Sequence, residues 1–485
     1  MIAERSLEDI EHRLARHYAA IIRQAASSLP CGRENRDYWM RTVRQDWEQI
    51  RRWQAWSAAW QEKPSASERA ALCIAFAEET SSVLLVMLSP GEQFAWLQQA
   101  YEAALAVYDH QAIFTLLYRL SYMSLTLEKP DQAEWYAQQL RQHGQNHTQR
   151  AGYASSRKFN LGRASFLLGA AAFVGGRYDE AHEYLTESLT LLQACPVSGE
   201  LGQVWLALGR VANVRGQYQQ AYEGYTRYLE NGMALSNELS VLDAHMSLSG
   251  VHLAMNNVMK AEEHAQLAVS KLRAYGVSRF LPPALFSLAN AEKRLGKLEA
   301  ACTHYEEGLD AAQAVSSAPS SRANGWHGLG QARYMLGDDA TAADHLETGL
   351  SIARDAHYLL RVCEIAHDLV ILYMKRGETD LARQRLREAL ESAQTLATPQ
   401  FMTKALAAAV VWKYPQDIEQ AAIWAGLLED HLVYLQPSLF DTQFYAQLES
   451  ELGSERYAHL LAEGKTLSLA TLMADLLQSL AQTEI

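Results

Sequence analysis

One short pattern recurs six times in this chain of 485 residues, and its spacing limits what the chain can fold into. Each copy has a glycine or asparagine followed five positions later by an alanine, and the alanines lie 40, 40, 40, 41 and 40 residues apart. The six alanines are Ala181, Ala221, Ala261, Ala301, Ala342 and Ala382. A fixed period of this size is typical of repeat proteins, in which each unit packs mainly on its neighbours.

Other positions in each copy predict a helix, a tight turn and a second helix. A small or mid-sized residue lies seven positions before each turn residue: Gly169, Gly209, Ser249, Ala289, Gly330 and Val370. Such a residue lets the second helix approach closely, and a glycine or asparagine tolerates the left-handed conformation that ends a helix. We therefore predict an all-α, right-handed superhelical solenoid of helix pairs, with a period of roughly 40 residues and essentially no β-structure.

The repeated turn resembles that of the tetratricopeptide repeat. The resemblance covers roughly residues 160–400 and rests on turns such as Gly176-Arg-Tyr178-Asp-Glu-Ala181 and Gly296-Lys-Leu298-Glu-Ala-Ala301. The usual tetratricopeptide period is about 34 residues, so the longer period here implies longer helices and links. HEAT-type repeats, with a period of about 40–47 residues, are the alternative, and the glycine–alanine turn favours the tetratricopeptide interpretation.

The flanks of the array are helical in pattern but lie outside its register. We predict an irregular helical region over residues 1–150, with a degenerate repeat turn at Pro130-Asp-Gln-Ala133. The six repeats occupy 151–400, and a degenerate repeat with a C-terminal helical cap occupies 401–485. Within that cap the pattern predicts short helices over roughly Phe440–Leu452 and Glu455–Glu463, and a last helix from Leu469.

Both ends of the chain resemble parts of large bacterial regulators of the STAND class (signal-transducing ATPases with numerous domains), including LuxR-type and NB-ARC-type members. The C-terminal phrase that carries the resemblance is Leu452-Gly453, Tyr457, Gly464-Lys465, Leu467-Ser468 and Met473-Ala474. Segments Arg13–Ala26 and Trp47–Trp53 resemble the helices that join the ATPase to the repeats in that class. The resemblance implies the C-terminal sensor region without the ATPase domain, which would lie before residue 1. It therefore implies a module that stands alone or serves an effector on another chain.

Charge and composition argue against several classes of partner. The net charge of −13 disfavours direct nucleic-acid binding, because phosphate contacts need clustered lysine and arginine. The longest apolar runs, such as Val83–Leu88 and Phe166–Val174, are too short to span a bilayer. Five cysteines without a Cys-x-x-Cys pair predict free thiols in a reducing compartment, so we expect a cytoplasmic protein.

The motifs that suggest catalysis are incomplete. Gly464-Lys465-Thr466 would need a glycine at the position of His459 to form a phosphate-binding loop. Gly328-x-Gly330 has Arg333 where a dinucleotide fingerprint has its third glycine. Metalloprotease, serine-hydrolase and zinc-ligand spacings are missing from the sequence. We therefore predict no enzymatic activity, no cofactor and no metal.

The repeat register also predicts which residues line a concave groove, because the first helix of each pair faces inwards. The predicted groove residues are Phe166, Phe173, Leu206, Arg210, Asn213, Met246, Phe286, Asn290, Lys293, His327, Gln331, Tyr334 and His367. An apolar strip with interleaved donors suits a peptide, which needs side-chain anchors and backbone hydrogen bonds. The alternative is that Phe166, Phe173 and Phe286 belong to the core because the superhelix is tightly wound.

The sequence thus predicts a non-catalytic sensor or adaptor that binds a protein segment or small ligand in its groove and regulates a partner effector. Arg210, Asn290 and Lys293 form a positive patch in an acidic chain, so the ligand should carry an anionic group. Its apolar part would then rest on Met246 and Phe286. The alternative function is a static scaffold subunit of a multi-protein complex.

Overall fold

The computed structural model describes residues 2–28, 33–62, 66–78, 87–146, 154–196, 198–275, 280–315, 317–435 and 443–482. Over these ranges the chain forms 24 α-helices, two 3-10 segments (Trp60–Glu62 and Glu429–Leu435) and no β-strand. The prediction of an all-α solenoid of tetratricopeptide-like pairs is therefore confirmed. None of the described helices is both long and apolar enough to cross a membrane.

The N-terminal helices are α1 (Ile2–Ser28), α2 (Arg33–Gln45), α3 (Trp47–Ala58), α4 (Ala66–Glu78), α5 (Pro90–Ala106), α6 (His110–Thr126), α7 (Pro130–Asn146) and α8 (Ala154–Val174). The following helices are α9 (Tyr178–Gln193), α10 (Gly199–Val214), α11 (Tyr218–Ala234), α12 (Glu238–Ala254), α13 (Val258–Tyr275), α14 (Leu281–Arg294), α15 (Leu298–Ala314), α16 (Pro319–Met335), α17 (Asp339–Asp355), α18 (Leu359–Lys375) and α19 (Thr379–Leu396). The C-terminal helices are α20 (Pro399–Lys413), α21 (Ile418–Leu428), α22 (Gln443–Leu452), α23 (Ser454–Gly464) and α24 (Leu469–Gln482).

Contacts group the chain into two compact units. The first unit comprises Met1–Gly175 with Glu183–Pro196, and the second comprises Gly176–His182 with Val197–Ile485. The division into residues 1–150, 151–400 and 401–485 stays a prediction about sequence regions.

An aromatic core holds the first unit together. Ile22 and Ile50 are fully buried, and the rings of Trp47 and Trp96 stack with their centroids 6.2 Å apart. Helix α5 begins at a capping box in which the Ser89 side chain and Glu92 exchange hydrogen bonds with each other's backbone N–H. This arrangement satisfies N–H groups that the first helical turn would otherwise leave unpaired. The predicted degenerate turn Pro130–Ala133 forms the first turn of α7, and its Ala133 is fully buried.

The repeat turns adopt the predicted left-handed conformation. Each of the six turn residues has a positive φ: Gly176, Gly216, Asn256, Gly296, Gly337 and Gly377. All six following alanines are fully buried. The period is explained by helix length, since α11 and α12 each have 17 residues and three-residue turns separate the helices.

Small residues mark the close helix crossings of the second unit. A Cβ at Gly209 would stand 2.6 Å from the Tyr225 ring, and one at Gly330 would stand 2.7 Å from Leu346. In both cases the neighbour belongs to the second helix of the same pair, as the register predicts.

The C-terminal helices complete the second unit close to the predicted bounds. Helices α21 and α23 cross so closely that a Cβ at Gly464 would stand 1.9 Å from the carbonyl oxygen of Ile423. Helix α24 is held on α19 because Arg383 and Arg387 each donate a hydrogen bond to the Leu480 carbonyl, at 3.2 and 2.8 Å. The start of the predicted helix at Phe440 lies outside the described residues.

Candidate binding face of the first helices

The first-helix face is the side of the second unit formed by the first helix of each pair, namely α10, α12, α14, α16 and α18, together with α20. Contacts between these helices keep the 40-residue register. The Tyr228 hydroxyl accepts a hydrogen bond from Gln203 of α10 and donates one to Asp243 of α12, both at 3.2 Å. Further along, Ser287 of α14 donates to the Met246 carbonyl of α12 at 3.4 Å. Equivalent residues of neighbouring repeats therefore lie at the same level.

Six of the predicted groove residues of this unit are buried: Leu206, Phe286, Lys293, His327, Gln331 and His367. The Phe286 ring fills the space left by two glycines, since a Cβ at Gly308 or Gly325 would stand 2.5 or 2.6 Å from it. The expected exposed apolar strip is therefore wrong at Leu206 and Phe286, which belong to the core. Burial by neighbouring repeats is the physical reason.

Phe166 and Phe173 belong to the first unit. Phe166 is buried, so the core alternative holds for it, whereas Phe173 is half-buried. Their predicted part in ligand binding stays a prediction.

The other predicted residues keep some surface. Arg210 is exposed, and Asn213, Met246, Asn290 and Tyr334 are half-buried. Asn290 accepts a hydrogen bond from the Tyr305 hydroxyl through its side-chain oxygen, at 2.6 Å. This bond fixes the amide and directs its nitrogen away from Tyr305. The predicted residues that keep surface thus lie mainly on α10, α12 and α14, with polar side chains on α10 and α14 and Met246 on α12.

Behind the later helices runs a buried network of charged and polar side chains. Lys293 of α14 donates to the Gln331 oxygen of α16, and Gln331 donates in turn to Asp368 of α18 at 2.6 Å. His327 Nε2 lies 2.7 Å from the same Asp368 oxygen, and Arg361 Nη1 lies 2.8 Å from His327 Nδ1. Because arginine can only donate, His327 Nδ1 accepts and Nε2 carries the proton toward Asp368.

The network continues to α20. Glu364 forms ion pairs with Arg361, at 2.7 Å, and with Lys404, which is only 1% exposed. The Lys404 carbonyl receives a hydrogen bond from His367 Nδ1 at 2.6 Å. Burial alone would raise the pKa of Glu364, but the charges of Lys404 and Arg361 lower it to about 2. The network therefore links three successive first helices: hydrogen bonds join α16 to α18, and the Glu364–Lys404 ion pair joins α18 to α20.

Positive charge exceeds negative charge in this network. Of the side chains named in this network, Lys293, Arg361 and Lys404 are cations and Asp368 and Glu364 are anions, and burial lowers the pKa of both His327 and His367. Burial also lowers the pKa of Lys293 to about 8, against the attraction of Asp368. The direct partners of Lys293 are an amide oxygen and the Tyr305 ring, with Nζ 5.7 Å from the ring centroid. Lys293, on α14, is thus the cation of this network whose direct hydrogen-bond partner is an amide and not a carboxylate.

A cluster of three histidines between α12 and α13 had no signal in the sequence, where the sixteen histidines are scattered. His245 Nδ1 lies 2.9 Å from His264 Nδ1, and the His252 ring stacks on that of His264 with centroids 5.4 Å apart. Tyr222 of α11 packs on His252, and the charges of Lys260 and Glu263 of α13 act on the cluster. Burial lowers the pKa of all three histidines.

This cluster predicts that the second unit loses stability in mild acid. Because the folded pKa values lie below the ordinary value, the unfolded chain binds protons more readily, so the stability present above about pH 6.5 is lost as the pH falls. Protonating both His245 and His264 also removes the acceptor of their mutual hydrogen bond. We expect the urea midpoint to fall between pH 7.5 and pH 5.5, and to fall less in a His264→Gln variant. A His459→Gln variant, changed at an exposed residue, should follow the unmodified protein, and an equal fall in all three would contradict the role of the cluster.

Other motifs of the sequence have structural explanations here. Gly464-Lys465-Thr466 lies at the end of α23, where Gly464 permits the close crossing with α21. Gly328 and Gly330 lie inside α16, where a Cβ would collide with Tyr305 and Leu346 respectively. Within the described residues no group of three or more His, Cys, Asp and Glu side chains is placed to hold a metal ion.

A cleft of about 630 Å³ also lies in the second unit, between the turn that precedes α9 and the turn between α19 and α20. Its charged side chains are paired with one another: Arg215 with Asp179, and Arg177 with Glu180 at 2.6 Å. The cleft therefore has no net side-chain charge to select an ion.

Comparisons with known proteins agree with this architecture. A tetratricopeptide repeat family model matches residues 282–355. We found no curated protein with significant sequence similarity to the chain. Among solved structures, a Rap protein complexed with Competence and Sporulation Factor is similar, with 16% identity over 76% of this chain and 98% of that chain and a TM-score of 0.52. NprR in complex with its cognate peptide NprX has 14% identity over 72% of this chain and 98% of that chain, with a TM-score of 0.48. The tetratricopeptide interpretation of the repeats is confirmed, whereas the relation to STAND-class regulators stays a prediction.

Proposed function

We propose that this chain is a non-catalytic adaptor or sensor that binds an extended segment of another protein along its first-helix face. The observation that carries the proposal is the polar, partly open stretch over α10, α12 and α14. There the exposed Arg210 and the half-buried Asn213 and Asn290 lie in a chain of net charge −13. Side-chain amides can pair with both the N–H and the C=O of a peptide, and an arginine can hold a carboxylate.

The electrostatics favour an acidic segment. Lys293 lies on the same helix as Asn290 and donates to an amide oxygen and not to a carboxylate, and Arg210 supplies a second positive charge at the surface. A positive region within an acidic protein attracts and orients anionic ligands. Lys293 itself is only 4% exposed, so it contributes by its field. The apolar part of the ligand would rest on Met246, since Phe286 is buried.

The similar Rap protein supports the proposal by analogy, because its structure was solved as a complex with Competence and Sporulation Factor. The resemblance of the chain ends to STAND-class regulators suggests the next step. In that hypothesis the bound segment changes how this cytoplasmic module docks on a separate effector chain in a bacterial signalling or defence-type system.

The test uses short fluorescein-labelled peptides in which aspartate or glutamate alternates with leucine or alanine, measured by fluorescence anisotropy. We expect saturable binding that weakens with added salt and is lost when the acids are replaced by asparagine and glutamine. The double change Arg210→Ala and Asn290→Ala should weaken binding by more than about tenfold. Lys271→Ala, changed at an exposed lysine on α13, is the matched control and should bind normally. If none of the acidic peptides binds, the proposed function is wrong.

A static scaffold is the second candidate, and the buried ion-pair network favours it because such a network makes successive repeats rigid. Small-angle scattering separates the two functions. An adaptor that responds to its ligand should change its radius of gyration when a binding peptide is added, whereas a rigid scaffold should not.

A further inference from the structure

Gly250 lies in the interior of α12, where glycine weakens a helix relative to alanine. Packing explains other glycines in helix interiors of the second unit. A Cβ at Gly209, Gly308 or Gly330 would stand 2.6, 2.5 or 2.7 Å from a neighbouring side chain. At Gly250, in contrast, no atom of the described residues lies within 4 Å of the position that a Cβ would take, apart from its chain neighbours and the adjacent backbone of its own helix.

Backbone conformation does not explain this glycine either. The other described glycines with equally open surroundings lie in the first turn of a helix or have a positive φ: Gly91, Gly199, Gly296, Gly337, Gly377 and Gly453. Gly250 has neither feature, because it lies in regular helix with an ordinary φ. A position that weakens the helix without a packing reason is more readily explained by contact with something outside the chain.

The surroundings of Gly250 form a shallow notch. Met246 and Leu253 lie four residues before and three residues after it, so they share its side of the helix, and both are half-buried. Between them the backbone of α12 is bare. The floor of the notch is therefore main chain, and its two ends are flexible apolar side chains.

Polar groups flank the notch on the neighbouring first helices. Gln203 of α10 and Asp243 of α12 both form a hydrogen bond with the Tyr228 hydroxyl. Arg210 lies seven residues after Gln203, and Gly250 lies seven residues after Asp243. Ser287 of α14 contacts Met246 of α12. Asn290 lies about one helical turn after Ser287, and Gly250 lies about one turn after Met246. Arg210, Gly250 and Asn290 thus lie at one level of α10, α12 and α14. On the α10 side Asn213 is half-buried. Its Oδ1 is itself buried, so a segment outside the chain meets this amide through its N–H donors and not through its oxygen.

We propose that an extended, acidic segment of a partner protein crosses α12 at Gly250, with its main chain against the bare helix backbone. The segment's C=O groups accept hydrogen bonds from the side-chain amides of Asn213 and Asn290, and an acidic side chain pairs with Arg210. This inference rests on the proposed function and adds the place and orientation of the ligand. A main chain can approach a helix closely only where no side chain intervenes, which is the use of glycine at such a point.

The first part of the test is stability without ligand, measured on the full chain. Gly250→Ala should raise the melting temperature by about 2 °C, because alanine favours the helix and meets no neighbour. Gly250→Leu should leave it within about 2 °C of the unmodified protein. The matched control is Gly330→Ala, which should lower it, because Leu346 occupies the space beside that glycine. A lower melting temperature for Gly250→Ala would mean that the glycine is structural and would overturn the inference.

The second part is binding of the same acidic fluorescein-labelled peptides. Gly250→Leu should weaken binding roughly 30-fold while the protein stays folded, and Gly250→Ala should weaken it less. If Arg210→Ala with Asn290→Ala abolishes binding while Gly250→Leu binds normally, the peptide site stands but its path over Gly250 is wrong. If no acidic peptide binds the unmodified protein, both proposals fail together.

Discussion

Replacing Asp368 with alanine will destabilise the second unit by about 3–5 kcal/mol, the range expected when one member of a buried ionic network is removed. Asp368 is 1% exposed and accepts from Gln331 and His327 at 2.6 and 2.7 Å. Its carboxylate also balances part of the charge of Lys293 and Arg361. The variant would leave buried donors without their acceptor and would increase the excess positive charge.

Urea unfolding followed by circular dichroism measures this effect. Asp310→Ala, changed at an exposed aspartate on α15, is the matched control and should stay within about 0.5 kcal/mol of the unmodified protein. Adding Lys293→Met to Asp368→Ala should restore more than about 1 kcal/mol of the free energy of unfolding, because it removes a buried cation that no longer faces the Asp368 carboxylate. Equal midpoints for Asp368→Ala and Asp310→Ala would show that the network adds nothing to stability.

The fold could be predicted because it depends on local patterns that repeat. A glycine or asparagine at each turn, an alanine five residues later and a small residue seven residues before specify two helices and their crossing. The positive φ of Asn256 and the fully buried Ala261 show that even the repeat without a turn glycine obeys the pattern. Repetition supplies the evidence, since any one copy alone would be weak.

The binding face could be predicted only in part, because a register places a residue on one side of a helix without showing what covers that side. Phe286 is buried in the core because Gly308 and Gly325, on two other helices, leave room for its ring. His327 is buried because its hydrogen-bonding partners, Arg361 and Asp368, come from the next repeat. Such contacts depend on the distance between neighbouring helices, which the period alone does not determine.

Gly250 illustrates the opposite difficulty. In the sequence it resembles the glycines that permit close packing, and it lies one position after Ser249, the small residue of its repeat. Only the coordinates separate the two kinds of glycine, because they show a collision at Gly330 and open space at Gly250. A glycine within a helical pattern therefore predicts either packing or a contact surface, and the surrounding atoms decide which.

The second large effect concerns the segment Gly464-Lys465-Thr466, which resembles the end of a phosphate-binding loop. Gly464→Ala should destabilise the C-terminal helices by an amount at the upper end of the roughly 1–3 kcal/mol typical of overpacking. The added Cβ would stand 1.9 Å from the Ile423 carbonyl oxygen and 3.0 Å from Gly426 Cα. These are backbone atoms, which cannot rotate away as a side chain could. Helix propensity alone would favour alanine by about 1 kcal/mol, so the packing effect must overcome an opposite preference.

Lys465→Ala separates the structural explanation from the phosphate-binding one. The Lys465 ammonium makes an exposed ion pair with Glu429 at 2.7 Å, so its loss should leave the melting temperature unchanged. In a phosphate-binding loop Lys465→Ala would be the critical change, because the lysine contacts the phosphates directly and its loss would abolish the stabilisation by magnesium ATP. We therefore expect magnesium ATP at millimolar concentration to leave the melting temperatures of the unmodified protein and of Lys465→Ala unchanged, while Gly464→Ala melts at a lower temperature in both conditions. A rise in melting temperature with magnesium ATP that disappears in Lys465→Ala would contradict the helix-crossing explanation and would establish a nucleotide site at the end of α23.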